Sequence, residues 1–215
     1  MKFVLGLWVS YFLGAVPTAY IFGKLYKGID IRQHGSGNVG ATNVFRVLGK
    51  GPGIIVLVLD VLKGTLAVTV VADFFGLTQV FQRILLALVV VSGHNWTVFL
   101  NFKGGKGIAT SLGVLIGLTL KIAAIRPVLL GAVLIWLVSF LASGFVSLSS
   151  IVAGVFLPLL MVLTGQSIEL IVLGTIFCVF VVLRHRPNIR RLLRGQEPRV
   201  PLPFRKGKQP PVVSK

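Results

Sequence analysis

Seven apolar runs, at 3–23, 53–72, 84–102, 108–120, 128–141, 146–164 and 168–183, alternate with short clusters of Lys, Arg, Gly, Asn and Pro. A helix needs about 20 mostly apolar residues to cross a hydrocarbon layer about 30 Å thick. Several of the runs reach that length, which excludes a water-soluble fold. In lipid every backbone N–H and C=O must be paired inside its own segment, so the spans are helical. The expected fold class is an all-α integral membrane protein with about seven transmembrane helices. The runs at 108–120 and 128–141 are short and need tilt or local bilayer thinning to cross. The count therefore lies between five and seven, and seven is the expectation. There is no internal repeat of the kind that organises many transporters.

Charge orients the bundle. The chain carries 22 Lys and Arg against 5 Asp and Glu, a net charge of +17. Seven helices starting outside would put Lys24, Lys27, Arg32, Arg46, Lys50, Lys103, Lys106 and the basic C-terminal stretch on one face. Only Lys2, Arg83, Lys121 and Arg126 would face the other way, with Lys63 inside a span. Positive charge accumulates on the cytoplasmic side, so the N-terminus is expected outside and the C-terminus in the cytoplasm. The same surplus suits anionic lipid headgroups and phosphorylated substrates; in a membrane protein it does not imply nucleic acid. Residues 1–197 are expected to form one polytopic domain, and 198–215 a flexible Pro- and Lys-rich tail. The first run lacks a convincing cleavage site and is expected to be a retained span. The single cysteine, Cys178, lies within an apolar run, which rules out a disulfide within the chain.

Three polar clusters fall on the basic face. The first runs from His34 to Asn43 and is followed by Arg46. Its Gly35–Gly40 segment satisfies GxGxxG, but a membrane helix precedes it where a dinucleotide fold needs a strand. What survives is the anion-binding physics: small residues let backbone N–H groups approach a phosphate closely. Ser36, Gly37, Asn38, Gly40, Thr42 and Asn43 are candidates of this kind, and Arg46 adds a bidentate donor. The plainer reading is a Gly/Asn turn between spans.

The second cluster joins Gly93-His94-Asn95-Trp96 to Lys103-Gly104-Gly105-Lys106-Gly107, with Thr110 and Ser111 opening the next helix. It lacks the Walker A spacing yet describes a phosphate cradle. A lone histidine is ordinarily structural; beside such a cradle His94 becomes a candidate acid, base or oxyanion donor. Trp96 suits a membrane interface. The third cluster starts where the last run ends, with His185, Asn188 and Glu197 among several arginines. Arg190, Arg191 and Arg194 read as a positive flank. Asp60 and Lys63, three apart in the second run, share a helix face. They form either a local ion pair or a route for Lys63 to the site.

These residues together resemble the PlsY-type acyl-phosphate:glycerol-3-phosphate acyltransferases of bacteria. The resemblance rests on Ser36–Asn43, on Gly93-His94 with Phe102–Gly107, on His185–Asn188 with Gly195-Gln196-Glu197, and on Asp60…Lys63-Gly64. It implies transfer of a fatty acyl group from acyl phosphate to the 1-hydroxyl of glycerol 3-phosphate, at the cytoplasmic face of a bacterial inner membrane. The products would be lysophosphatidic acid and phosphate. No cofactor and no metal is expected. His94, Asn188 and Ser36 are the candidate catalytic residues. The remaining cluster residues, including Lys63, His185 and Glu197, are candidates for phosphate and substrate binding.

Rival chemistries fit less well. Acyltransferases that use acyl-CoA or acyl carrier protein pair a His with an Asp five residues later. Here Val39, Phe99 and Arg190 stand at that spacing from His34, His94 and His185. Lipid phosphatases need an acidic partner that His185 lacks in sequence, and CDP-alcohol phosphotransferases need several aspartates. Outside enzymes, a transporter or channel for phosphate or an organic anion is the alternative. The missing repeat and the concentration of polar groups at one face argue against it.

Overall fold

The computed structural model describes residues 1–200, all of whose regular structure is helical. Of the stretch expected to be a flexible tail, residues 201–215 lie outside the described part. The first apolar run forms α1 (Lys2–Ala15) and α2 (Thr18–Lys27), interrupted at Val16-Pro17. A short α3 (Ala41–Val47) follows, then α4 (Lys50–Leu66), which continues through a π-helical turn at Ala67–Val71 into α5 (Ala72–Phe74). Next come α6 (Val80–Asn95), α7 (Ile108–Lys121), α8 (Arg126–Ser143), α9 (Val146–Leu163) and α10 (Ile168–Arg184). The last helix, α11 (Arg186–Leu193), turns away from α10 by 58°.

Among the described residues, five helices are long and apolar enough to cross a membrane, and a sixth if α10 and α11 count as one bent span. The α7 helix, 14 residues long, is apolar but shorter. The coarse expectation of a polytopic helical membrane protein therefore holds. Large apolar side chains such as Trp8, Phe74, Leu130 and Leu163 point outward, as they do when the surrounding solvent is hydrocarbon.

Apolar burial is a weak force between helices in lipid, so close van der Waals fit must hold them. Glycines supply it in two parallel pairs. A Cβ on Gly14 would overlap the Val90 carbonyl, and one on Gly93 the Tyr11 carbonyl, which fixes α1 against α6. Gly64 meets the Thr110 carbonyl and Gly113 the Val61 carbonyl in the same way, which fixes α4 against α7. The core between these pairs, α9 and α10 includes Val90, Leu118, Met161, Leu173 and Phe177, all essentially without exposed surface.

The bundle has two polar ends. At one, Asp73 accepts from Arg83 at 2.6 Å and from Lys121 at 2.5 Å. Arg83 also donates to the carbonyl of Val68, within the π-helical turn, at 2.5 Å. The other end gathers the three glycine-rich and basic clusters.

Candidate active site

The break at Val16-Pro17 leaves the carbonyls of Ala15 and Val16 outside the regular helical pattern, within the bundle. Both find donors from other helices, as buried backbone acceptors must. The Thr97 hydroxyl donates to Ala15 at 2.6 Å, and the Lys63 ammonium donates to Val16 at 2.7 Å. Lys63 pairs with Asp60 at 2.7 Å, and the Thr18 hydroxyl donates to the same carboxylate oxygen at 2.6 Å. The local ion pair is thus formed, and Lys63 also reaches the break in the first span. His94, at the end of α6, places Nδ1 3.8 Å from that oxygen. This acid partner, 34 positions upstream of His94, was invisible to the spacing rules applied to the sequence.

The Lys103–Gly107 loop folds back on the end of α6. Gly105 N–H donates to the His94 carbonyl at 3.0 Å and Gly104 N–H to the Asn95 carbonyl at 3.2 Å. Both glycines are needed sterically, since a Cβ on Gly104 would strike the His94 carbonyl and one on Gly105 would strike His94 Nε2. Gly107 adopts a left-handed φ of 76° over the Asn95 side chain and starts α7. Lys63, His94, Thr18, Thr97, Gly104 and Gly105 together line a narrow cleft of about 10 Å³. Two of its lining residues, Val16 and Pro17, also line an open apolar groove of about 380 Å³ formed with Tyr20, Ile21, Phe99 and Leu100.

A second polar centre lies on the other side of the glycine loop. Lys106 donates to the side-chain oxygen of Asn188. The Asn188 amide donates to Glu197 at 2.6 Å, as does the Ser147 hydroxyl. Arg191 completes the set on Glu197 at 2.7 Å. Burial pushes the Glu197 carboxyl up, yet the hydrogen bonds from Ser147, Asn188 and Arg191 outweigh it and leave the carboxyl below its ordinary range. Burial also brings the Lys106 ammonium down to about 8, against an attraction from Glu197 that raises it. Arg46 lies near enough to feel both Glu197 and Arg191.

The first cluster joins through Val39, whose carbonyl faces Gly105 and which also lines the cleft. Asn43 is buried and spends its side chain on this loop. It donates to the Ile31 and His34 carbonyls at 3.2 and 3.0 Å and accepts from Ser36 N–H at 2.8 Å. Ser36 is thereby left exposed, with Gly37 and Asn38 half-buried beside it. Gly40 precedes α3, and Thr42 lies in that helix's first turn.

Several expected site residues sit behind the surface rather than on it. Thr110 is fully buried against α4, and Ser111 is half-buried beside it. His185 is buried, with Nδ1 2.8 Å from the Val181 carbonyl. Glu197 serves Asn188 and Arg191, and its negative charge does not suit it to hold a phosphate directly. Lys103 is exposed at the rim.

Besides Thr18, Thr97 and Ser147, three further residues escaped the sequence reading. Arg184 donates to the Gly105 carbonyl at 2.9 Å and the Gly104 carbonyl at 2.7 Å, clamping the loop from the last span. Arg191, read as a flank, belongs to the Glu197 centre. Asn95 is fully buried beneath Gly107. Its place beside His94 in the second cluster was the only signal.

The glycerol-3-phosphate acyltransferase family profile matches residues 4–195. This chain belongs to that family. The glycerol-3-phosphate acyltransferase of Synechococcus sp. (strain CC9902) is 45% identical over 89% of this chain and 92% of its own length. Glycerol-3-phosphate acyltransferase 2 of Moorella thermoacetica (strain ATCC 39073 / JCM 9320) is 43% identical over 90% of this chain and 95% of its own. The structure is similar to the crystal structure of PlsY (YgiH), an integral membrane glycerol 3-phosphate acyltransferase, in its glycerol 3-phosphate form. That match has a TM-score of 0.84 at 38% identity, covering 94% of this chain and 96% of that one. The lysophosphatidic acid form of the same protein matches with a TM-score of 0.80. Membership in the family fits a site that combines glycine-rich basic loops with an apolar groove.

Proposed function

We propose that this chain transfers a fatty acyl group from acyl phosphate to the 1-hydroxyl of sn-glycerol 3-phosphate, releasing lysophosphatidic acid and phosphate. The observation that carries the reading is the wall shared by the polar cleft and the apolar groove at Val16 and Pro17. A lipid tail in the groove would bring its activated carbonyl to the glycine-rich loop. Both substrates are phosphorylated, which matches a site whose cations outnumber its acids.

In this reading Ser36, Asn38, Arg46, Lys103, Lys106 and the backbone of Gly104–Gly107 hold the two phosphates. Asn43, Thr110, His185 and Glu197 support them from behind. His94 and Asn188 orient the reacting groups. The hydroxyl oxygen attacks the acyl carbonyl carbon, the bond from that carbon to the phosphate oxygen breaks, and phosphate leaves. The hydroxyl proton passes to His94 or to a dianionic substrate phosphate, and because acyl phosphate is already activated no covalent acyl-enzyme is needed. The main contributions of the protein are approach and charge stabilisation.

All seven apolar runs cross the bilayer, with the N-terminus outside and the site, C-terminus and basic tail in the cytoplasm of a bacterial cell. Residues 1–197 form the catalytic domain, and the basic rim lies against anionic headgroups.

The test is purified protein in detergent with glycerol 3-phosphate and either palmitoyl phosphate or palmitoyl-CoA, with the product followed by mass spectrometry. Lysophosphatidic acid from acyl phosphate alone is expected. Product from the thioester would overturn the donor, and product from neither would overturn acyl transfer.

A further inference from the structure

The geometry points to Asp60 as a positioning residue that sets the tautomer of His94, and thereby decides what His94 offers the substrate. This rests on the acyl-transfer reading above. The two ring nitrogens of His94 face different partners. Nδ1 looks toward Asp60, 3.8 Å away, too long for a hydrogen bond in the substrate-free site and short enough to become one if the site tightens around substrate. Nε2 lies on the other side, against the backbone of Gly105, in a ring that also lines the cleft.

Asp60 is itself held in place. Thr18 from α2 and Lys63 from its own helix both donate to its Oδ1, and Lys63 is tied to the Val16 carbonyl in the break of the first span. The carboxylate oxygen facing His94 is an acceptor already fixed by two donors, so the ring atom turned toward it carries the hydrogen. The Asp60 charge is matched by Lys63, and Arg184 adds a second cation near the ring. Nothing here calls for an imidazolium, and a neutral ring with hydrogen on Nδ1 has a bare lone pair on Nε2.

A lone pair facing the cleft cannot donate to a phosphate or to a developing oxyanion. It accepts a hydrogen bond from a hydroxyl, and the hydroxyl-bearing substrate is the glycerol moiety. His94 is thereby assigned to the acceptor alcohol. The oxyanion falls to the donors on the opposite side of the loop, Lys106 and Asn188. The pairing is absent from the sequence as a motif because the break in the first span, with Lys63 and Thr18, brings the acid to the histidine.

The test uses full-length protein labelled with 15N-histidine, the His94 resonances being assigned by their loss in His94→Gln. The wild type is expected to show Nδ1 protonated and Nε2 bare at neutral pH. Replacing Asp60 alone would strand the Lys63 charge in the bundle and endanger folding, so the informative variant is Asp60→Leu with Lys63→Met. In that variant, His94 should move to the Nε2-protonated form, and kcat should fall about 10- to 100-fold. The KM for glycerol 3-phosphate should stay within about threefold, because the phosphate contacts remain.

A wild-type His94 protonated on Nε2, alone or on both nitrogens, would overturn the assignment. So would a folded double variant with an unchanged tautomer and turnover within about threefold of wild type; Asp60 would then serve only to brace the broken helix. The tautomer is read without turnover, so a wild type lacking acyl transfer would sink the proposed function and leave this measurement interpretable.

Discussion

Both ends of the bundle are built on ion pairs, yet they are balanced differently. At the end holding Asp73, one carboxylate takes Arg83 and Lys121 directly, and Arg83 adds a backbone carbonyl. Every cationic head in that node has a protein partner. At the opposite end three carboxylates, Asp30, Asp60 and Glu197, stand among Arg32, Lys63, Lys103, Lys106, Arg46, Arg184 and Arg191. The pairs there are made so as to leave donors over. Glu197 fixes Asn188 and Arg191, Asn188 receives Lys106, and the remaining ammonium hydrogens have no acid to meet. A closed ion pair joins helices; a surplus of positive charge around glycine-rich backbone suits an anion.

The comparison breaks if removing a surplus cation costs no more than removing a closed pair. Lys106→Ala should lower kcat/KM for acyl transfer by about 100-fold or more, the scale of losing one transition-state donor. Its thermal unfolding temperature should fall little, since Lys106 forms no ion pair. Steady-state kinetics and detergent melting on the same preparation would check both halves.

A pH series sharpens the same contrast by discharging the cation rather than deleting it. Burial brings the Lys106 ammonium down to about 8, so its charge is complete below that pH and is lost as pH rises through it. The kcat/KM for acyl transfer should therefore fall about five- to tenfold between about pH 7.5 and about pH 9. Lys106→Arg should flatten that fall, because a guanidinium stays charged. Stability moves the other way. The folded value lies below the unfolded one, so the penalty for burying the charge is fully present below about 8 and is relieved as pH climbs toward the ordinary lysine value of 10.5.

The smallest effect on turnover is expected at the closed end. Asp73→Asn should cost about 1 kcal/mol of stability, since the carboxylate is half-exposed and its pairs are screened. Melting should shift by a few degrees while kcat per folded molecule stays within about twofold. A large loss of turnover in this variant would show that the two ends are coupled, and the division drawn here between joining and binding would fail.

Much of this organisation was legible in the chain itself, for local reasons. Apolar runs of spanning length need no partner to declare themselves, because the hydrocarbon around them makes the demand. Ser36–Asn43, Lys103–Gly107 and His185–Asn188 were readable because glycines and donors that serve one loop are neighbours in sequence. The two α4–α7 and α1–α6 contacts were not readable, since a glycine required by the carbonyl of another helix looks like any other glycine in an apolar run. The same holds for Arg191, whose pairing with Glu197 across six positions distinguishes it from Arg190 and Arg194 only once α11 has turned.

By itself, then, the sequence determined a helical membrane protein with two basic, glycine-rich loops between spans and a third basic cluster after the last of them. Those properties follow from hydropathy, charge and local spacing. Tertiary structure alone decided that Asp60 meets His94, that Arg184 grips the Gly104 and Gly105 carbonyls, and that a polar cleft and an apolar groove share Val16 and Pro17. Each of these depends on how closely two helices approach and where one of them breaks. Both are settled by steric fit between residues far apart in the chain, which no periodicity along it records.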